Sequence, residues 1–305
     1  MKPPPFAYCR PETAEEAVHR LTEYGPDARV LAGGQSLLPL LNRRLLRPTA
    51  LVDVGRIAAL RGTGRHGGAL HIGALTTHAD LERAADPHLR AALPVVPETA
   101  RLIGHLPVRL RGTIGGSLAH ADPAAEWCLL AELLDADLHA LGPAGERTVP
   151  AAEFFTGAHR TALTPGELLT GVRIPRPAPT AAVAEYGFQP GSLPLAAAAA
   201  ELVLDDDGRI TAARIAVGGA EDRPVRSAAA EQALLGGAPD TRLLDHAAGL
   251  AAKALAPGAD HRAGAGYRRD LARTLVHRAL AGSLARCTPR LRPRFEARLQ
   301  EASAP

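Results

Sequence analysis

The sequence predicts an α+β protein: two α/β units, then a small antiparallel sheet with helices. Three observations carry this. Residues 12–54 alternate helix, strand, glycine loop, helix and strand, the order of a unit whose strands pair in parallel. Two apolar runs flank Asp205-Asp206-Asp207-Gly208, which reads as a hairpin. Between these textures stands Pro175-Arg176-Pro177-Ala178-Pro179, whose stacked prolines favour extended chain. A length of 305 residues is consistent with about two domains. We place the first over 1–177, with subdomains of about 1–56 and 57–177. The second covers 178–288, and 289–305 is a charged tail.

Each element has a local reason. Thr13 and Glu16 form a capping box for a helix over 12–24, with Ala17, Leu21 and Tyr24 on one face. Gly25-Pro26 stops it. Arg29–Ala32 is a short strand entering Gly33-Gly34-Gln35-Ser36, and Leu37–Leu46 is a helix ending before Pro48. Ala50–Val54 and 69–74 are strands, and Thr76-Thr77 caps a helix reaching about Ala85. Val95–Ile103 and Ala124–Leu134 read as helices, with a glycine-rich stretch over 111–118 between them. Asp137–Ala140 and Glu146–Val149 pair across a Gly-Pro-containing turn. Leu195–Leu204 and Arg209–Val217 make the hairpin, and helices cover about 227–235, 241–255 and 265–286.

Composition excludes several classes. Apolar residues are 46% of the chain and charged residues 22%, ordinary globular values. The net charge is +3, and all but two of the 35 basic residues are arginine, the exceptions being Lys2 and Lys253. That bias reads as genome-wide codon usage, and so small a charge leaves no footprint for nucleic acid. Cys9, Cys128 and Cys287 lie far apart with no spacing for zinc or an iron–sulfur cluster, which fits a reducing compartment. The N-terminus lacks the apolar run of a signal peptide, and the longest apolar run, 193–200, is far short of a membrane span. The expected location is cytoplasmic.

Two segments carry the chemistry: 31–39 (LAGGQSLLP) and 111–126 (RGTIGGSLAHADPAAE). Each sets a Gly-Gly pair before a serine. Glycine lets backbone approach an anion closely, and its N–H groups can bond phosphate oxygens. Ser36 and Ser117 can each donate one bond more. Two such loops suit a pyrophosphate; either alone reads first as a tight turn. Neither fits the Rossmann or P-loop spacing.

These residues resemble the FAD-binding medium subunit of the molybdenum hydroxylases, the aerobic carbon monoxide dehydrogenase and xanthine dehydrogenase family. The likeness rests on Ala32-Gly33-Gly34-Gln35-Ser36-Leu37, on Thr113-Ile114-Gly115-Gly116-Ser117, and on Leu118-Ala119-His120-Ala121-Asp122-Pro123. Supporting matches are Ile72-Gly73-Ala74, Phe154-Phe155-Thr156-Gly157, Gly166-Glu167-Leu168-Leu169 and Tyr267-Arg268-Arg269-Asp270-Leu271 with Arg278-Ala279-Leu280. The likeness spans about residues 3–282.

The resemblance implies the FAD-binding fold of the vanillyl-alcohol oxidase (PCMH) type, with two α/β subdomains followed by a sheet-plus-helices domain. It implies that Leu31, Ala32, Gly33, Gly34, Gln35, Ser36, Leu37 and Leu38, with Thr113, Ile114, Gly115, Gly116 and Ser117, hold the diphosphate and ribityl chain of FAD. Ile103 would pack near the cofactor, Glu126 would be a polar contact, and Leu169 would offer backbone groups or packing to the flavin. Arg109 and Arg111 flank the second loop and either add charge to the diphosphate or make surface ion pairs.

The resemblance further implies a partner large subunit with the molybdenum cofactor and a small subunit with 2Fe-2S clusters. Electrons would pass from those clusters to FAD and on to NAD, a quinone or oxygen. No residue here is assigned as catalytic acid, base or nucleophile. A free-standing FAD oxidoreductase and a redox-inactive scaffold are the alternative readings.

The chain departs from the family pattern twice. Leu110 replaces the amide of Val-Arg-Asn-Arg-Gly-Thr, and Glu185–Pro194 lacks the basic run that precedes the C-terminal domain. A cation lost near the flavin would bear on redox tuning and on the acceptor. Tyr186 could pack on the flavin ring, whereas core packing is the expectation for Phe188. His120 and Asp122 form an H-x-D pair without a third ligand, so loop hydrogen bonding is expected and no metal. The serines do not sit in a hydrolase elbow. Arg286, Arg290, Arg292, Arg294 and Arg298 form a basic stretch, read as a solvated tail.

Overall fold

The computed structural model describes residues 2–302, with side chains through Cys287. The first layer is a three-stranded parallel sheet, in the order β1 (Ala7–Cys9), β3 (Ala50–Asp53), β2 (Arg29–Leu31). Helix α1 (Ala14–Tyr24) starts where expected, because Thr13 Oγ1 accepts the Glu16 N–H. Ala17, Val18 and Leu21 bury its apolar face against Ala50 and Val52 of the sheet. Helix α2 (Leu37–Asn42) is shorter than the sequence suggests. Arg44 turns out of it with φ +57, so the chain leaves the helix before Pro48.

A single turn over Ala58–Leu60 leads into a five-stranded antiparallel sheet. Its strands are β4 (Thr63–His66), β5 (Ala69–Gly73), β6 (Asp137–Gly142), β7 (Gly145–Pro150) and β10 (Leu168–Ile174), in the order β4-β5-β10-β6-β7. The β6–β7 hairpin has the expected pairing, with Leu138 opposite Val149. Between β5 and β6 run α3 (His78–Arg83), α4 (Pro87–Ala92), α5 (Val95–Leu102), α6 (Leu106–Arg111), α7 (Ile114–His120) and α8 (Glu126–Leu133). They bury Val96, Ile114, Leu118 and Leu130 with Ile72, Leu138 and Val172 of the sheet. After β7 come α9 (Ala151–Phe154) and the short pair β8 (Phe155–Gly157) and β9 (Arg160–Thr161).

The remaining sheet is antiparallel: β11 (Ala182–Tyr186), β12 (Ala196–Leu204), β13 (Ile210–Gly218) and β14 (Val225–Arg226). Strand β12 is rich in alanine, a poor strand former. It is a strand because both faces are buried. Ala197 and Ala199 join the core of the five-stranded sheet, while Ala196, Ala198, Ala200 and Leu202 face the C-terminal helices. Small side chains let packing layers approach it from both sides. Those helices are α10 (Ala228–Leu234), α11 (Thr241–Ala254) and α12 (Ala265–Ala302). Helix α12 continues through the stretch read as a charged tail. The side chains of Arg290, Arg292, Arg294 and Arg298 lie outside the described residues, whereas Arg286 is engaged by Glu98 and the Ala181 carbonyl.

An ion-pair network joins α8 to this sheet. Glu201, 2% exposed, receives Arg176 at 2.7 Å and Arg214 at 3.3 Å. Asp135, just after α8, takes Arg214 at 2.9 Å and Arg226 at 2.8 Å. No helix among the described residues is long and apolar enough to cross a membrane.

Candidate functional site

The structure brings the two glycine segments into contact. Gly33 lies against the end of α6: a Cβ there would stand 2.1 Å from the Arg111 carbonyl oxygen and 2.8 Å from the Gly112 Cα. Gly34 has φ +74, which turns the chain into α2. Gln35 Nε2 donates to the Gly33 carbonyl at 3.3 Å and braces the turn. Among the described residues, no acceptor faces the backbone N–H groups of Gly33, Gly34, Gln35 and Ser36. Ser36 is exposed and its side chain caps no backbone group. Four successive open donors are what an anion cradle requires.

The second segment differs from expectation. It is helical from Ile114, and its leading donors are already used. Ile114 N–H donates to the Thr76 carbonyl at 3.0 Å, and Gly115 N–H to the Ala74 carbonyl at 2.9 Å. Gly116 N–H donates to Thr113 Oγ1 at 3.1 Å, and Ser117 N–H to the Thr113 carbonyl at 3.0 Å. Gly115 is required for close packing, since a Cβ would meet that of Ala74 at 2.5 Å. This segment therefore forms a wall beside the 33–36 donors, and its Ser117 hydroxyl has no hydrogen-bond partner among the described residues.

His78 supports that wall, a residue the sequence reading passed over. Its backbone N–H donates to the Gly112 carbonyl at 3.0 Å, and a Cβ on Gly112 would lie 2.7 Å from its Nε2. Trp127 Nε1 donates to His78 Nδ1 at 3.0 Å. Burial pushes the imidazole down to about 4, so it stays neutral and can accept this bond. Only the threonine cap beside it was visible in sequence; the Trp127 contact spans 49 residues.

The remaining predicted positions are distributed around this centre. Leu169 is buried on β10, next to a register shift, and the neighbouring Thr170 carbonyl accepts the Ala74 N–H at 3.0 Å. Ile103 is buried at the end of α5. Arg109 is tied up: it pairs with Glu82 at 2.8 Å and donates to the Gly104 carbonyl at 2.9 Å, so it braces the 103–104 turn. Arg111 is exposed and has no ion pair among the described residues. Leu31, Ala32 and Leu37 are half-buried, and Leu38 is exposed above Gly34.

Glu126 opens α8 and is 4% exposed. Burial pushes its carboxyl up to about 8, and the nearby charges of Glu185 and Asp122 add to that. Burial likewise pushes Glu185, on β11, up to about 7. The Glu185 Oε2 atom is buried with no hydrogen-bond partner among the described residues.

Comparison with known proteins places the chain as a whole. Residues 4–177 match the family described as the FAD binding domain in molybdopterin dehydrogenase. The chain belongs to the FAD-binding medium subunits of the molybdenum hydroxylases. Residues 189–282 match the carbon monoxide dehydrogenase flavoprotein C-terminal domain. The carbon monoxide dehydrogenase medium chain of Afipia carboxidovorans is 39% identical over 94% of this chain and 99% of its own length. The 6-hydroxypseudooxynicotine dehydrogenase complex subunit alpha of Paenarthrobacter nicotinovorans is 38% identical over 95% of this chain and 98% of its own. Among solved structures, quinoline 2-oxidoreductase from Pseudomonas putida 86 superposes with a TM-score of 0.90 at 38% identity, covering 94% of this chain and 99% of that one. The fold is thus the PCMH-type flavin fold, and the cofactor of this medium subunit is FAD.

The medium-subunit comparison bears on the departure at 185–194. Tyr186 is exposed and stands beside Tyr267, whose phenol burial and this neighbour push up. Phe188, expected in the core, is 63% exposed, because it rides on a loop rather than a strand. That loop packs on the 103–104 turn, where a Cβ on Gly191 would lie 2.7 Å from the Gly104 carbonyl oxygen.

Proposed function

We propose that this medium subunit holds FAD with its diphosphate on residues 32–36, walled by 113–117, and relays electrons within a molybdenum hydroxylase complex. The observation that carries the reading is the row of open N–H donors at 33–36 pressed against the 111–117 segment. The diphosphate is an anion, and backbone donors there need no lysine. Arg111 is free to add charge. Leu31, Leu37, Leu38, Ile103 and Leu169 give the apolar packing, and Glu126 is the buried polar contact. The unpartnered oxygen of Glu185 beside it is a group that a buried ligand could satisfy.

Bound FAD supplies a carrier that takes up and releases electrons singly or in pairs. This chain's part is to bind the diphosphate, exclude water from the buried side, and keep a neutral carboxyl at Glu126. The electron source is a partner small subunit with 2Fe-2S clusters, fed by a large subunit with the molybdenum cofactor. The acceptor is NAD, a quinone or oxygen. Supporting this, Cys9, Cys128 and Cys287 lie far apart in the sequence without iron–sulfur spacing, so the cluster ligands are assigned to another chain. Leu106, Leu110, Tyr186, Phe188, Leu193 and Tyr267 expose apolar surface suited to being covered by cofactor or partner.

Co-expression with candidate large and small subunits tests the relay. One complex in which substrate reduces the flavin supports it. Flavin that no substrate reduces through the complex, yet that NADH reduces directly in the isolated chain, would instead indicate the free-standing enzyme.

A further inference from the structure

The H-x-D pair at 120–122 lacks a third ligand in sequence, and the fold brings one back from His159. Helix α7 ends at His120, Ala121 turns the chain with φ +50, and Asp122 follows. The turn between β8 and β9 closes onto this corner. His159 N–H donates to the Ala121 carbonyl at 2.9 Å. The His120 and His159 rings lie 4.7 Å apart between centroids. One donor atom each from His120, Asp122 and His159 lies within 4.8 Å of the others.

We propose that His120, Asp122 and His159 bind one divalent transition-metal ion, with Zn²⁺ a suitable occupant, as a clip between α7 and the β8–β9 turn. Two imidazoles and a carboxylate are a borderline donor set that suits zinc and its neighbours rather than calcium or magnesium. Three protein ligands leave a fourth position for water. His159 Nδ1 faces the His120 carbonyl at 3.3 Å. A proton on that nitrogen satisfies the carbonyl and leaves Nε2 as the ligand atom, the outer-shell arrangement that fixes a metal-binding histidine. Asp122 Oδ1 accepts the Ala124 N–H at 2.9 Å, which orients the carboxylate and leaves Oδ2 available. Zinc at roughly 2.0–2.1 Å from each atom draws the three to within roughly 3.3 Å of one another. His159 is exposed, so its side chain is free to make that closure.

The test is calorimetric titration of ZnCl₂ into the full FAD-loaded chain after chelator treatment and dialysis. One zinc per chain is expected. His159→Asn, which tolerates the positive φ, and Asp122→Asn should each weaken that site at least tenfold, while His71→Ala, on the five-stranded sheet, leaves it unchanged. Zinc should also raise the melting temperature of the native chain and not that of His159→Asn. Absence of a stoichiometric site, or a site that survives both variants, overturns the assignment. Neither readout depends on flavin chemistry, so the outcome is independent of the electron-transfer reading.

Discussion

Gly33 and Arg111 are in backbone contact: a Cβ at residue 33 would stand 2.1 Å from the Arg111 carbonyl oxygen. Neither side of that contact is a flexible side chain, so a rotamer change cannot relieve it. The contact sets the open donors of 33–36 beside α7 and brings together two glycine segments about 80 residues apart.

Gly33→Ala should therefore open this contact and cut FAD occupancy at least tenfold while far-UV circular dichroism is retained. Gly64→Ala is the control, because a Cβ there meets nothing within 4 Å. Flavin content after purification checks both. Native-like occupancy in Gly33→Ala would dissociate the contact from cofactor binding.

His78→Ala removes the acceptor of the Trp127 indole N–H and leaves a cavity beneath Gly112. A buried donor left unpaired costs about 1–3 kcal/mol, and the lost volume adds to it. Urea denaturation should show a loss of about 3 kcal/mol, with flavin content falling as the wall loosens.

The elements legible in sequence were those with local causes. The Thr13 cap, the β6–β7 hairpin and the β12–β13 hairpin each rest on contacts within a few residues. Strands β1 and β4 escaped because one follows a proline run and the other is an exposed edge without alternation. Helix α4 carried a readable sign, the Asp86 cap followed by Pro87, which was overlooked. Helix α7 contradicts propensity, since Gly115 and Gly116 disfavour a helix; the Ala74 and Thr76 carbonyls hold it in place from 40 residues away. The two motifs of the candidate site were legible, but not which loop keeps its donors open. That depends on pairing across the fold, as do the His78–Trp127 bond and the approach of His159 to His120.

Stability should fall as pH rises from 6.5 to 8. Glu126 and Glu185 have folded values raised to about 8 and about 7, so the folded chain holds more protons than the unfolded one in this window. His78 acts oppositely but only lower, where the unfolded chain takes up a proton between about 6.5 and 4. Glu126→Gln should flatten the decline above pH 6.5, by up to about 2 kcal/mol at roughly 1.4 kcal/mol per pKa unit. Urea midpoints across pH 6–9, at constant flavin content, check this; an unchanged slope would contradict it.

Glu201→Gln should destabilise the chain by about 3 kcal/mol, since it strips the charge that balances Arg176 and Arg214 at a buried interface. Glu23→Gln, which breaks the exposed Arg20 pair, should cost under about 1 kcal/mol. Parallel denaturation curves separate the two.

The most direct test of the central claim is the visible absorption spectrum of the purified protein, alone and with its co-expressed partners, with released cofactor identified by chromatography. The account predicts one non-covalent FAD per chain, lost in Gly33→Ala. A chain that holds no flavin in either form after incubation with excess FAD would contradict it.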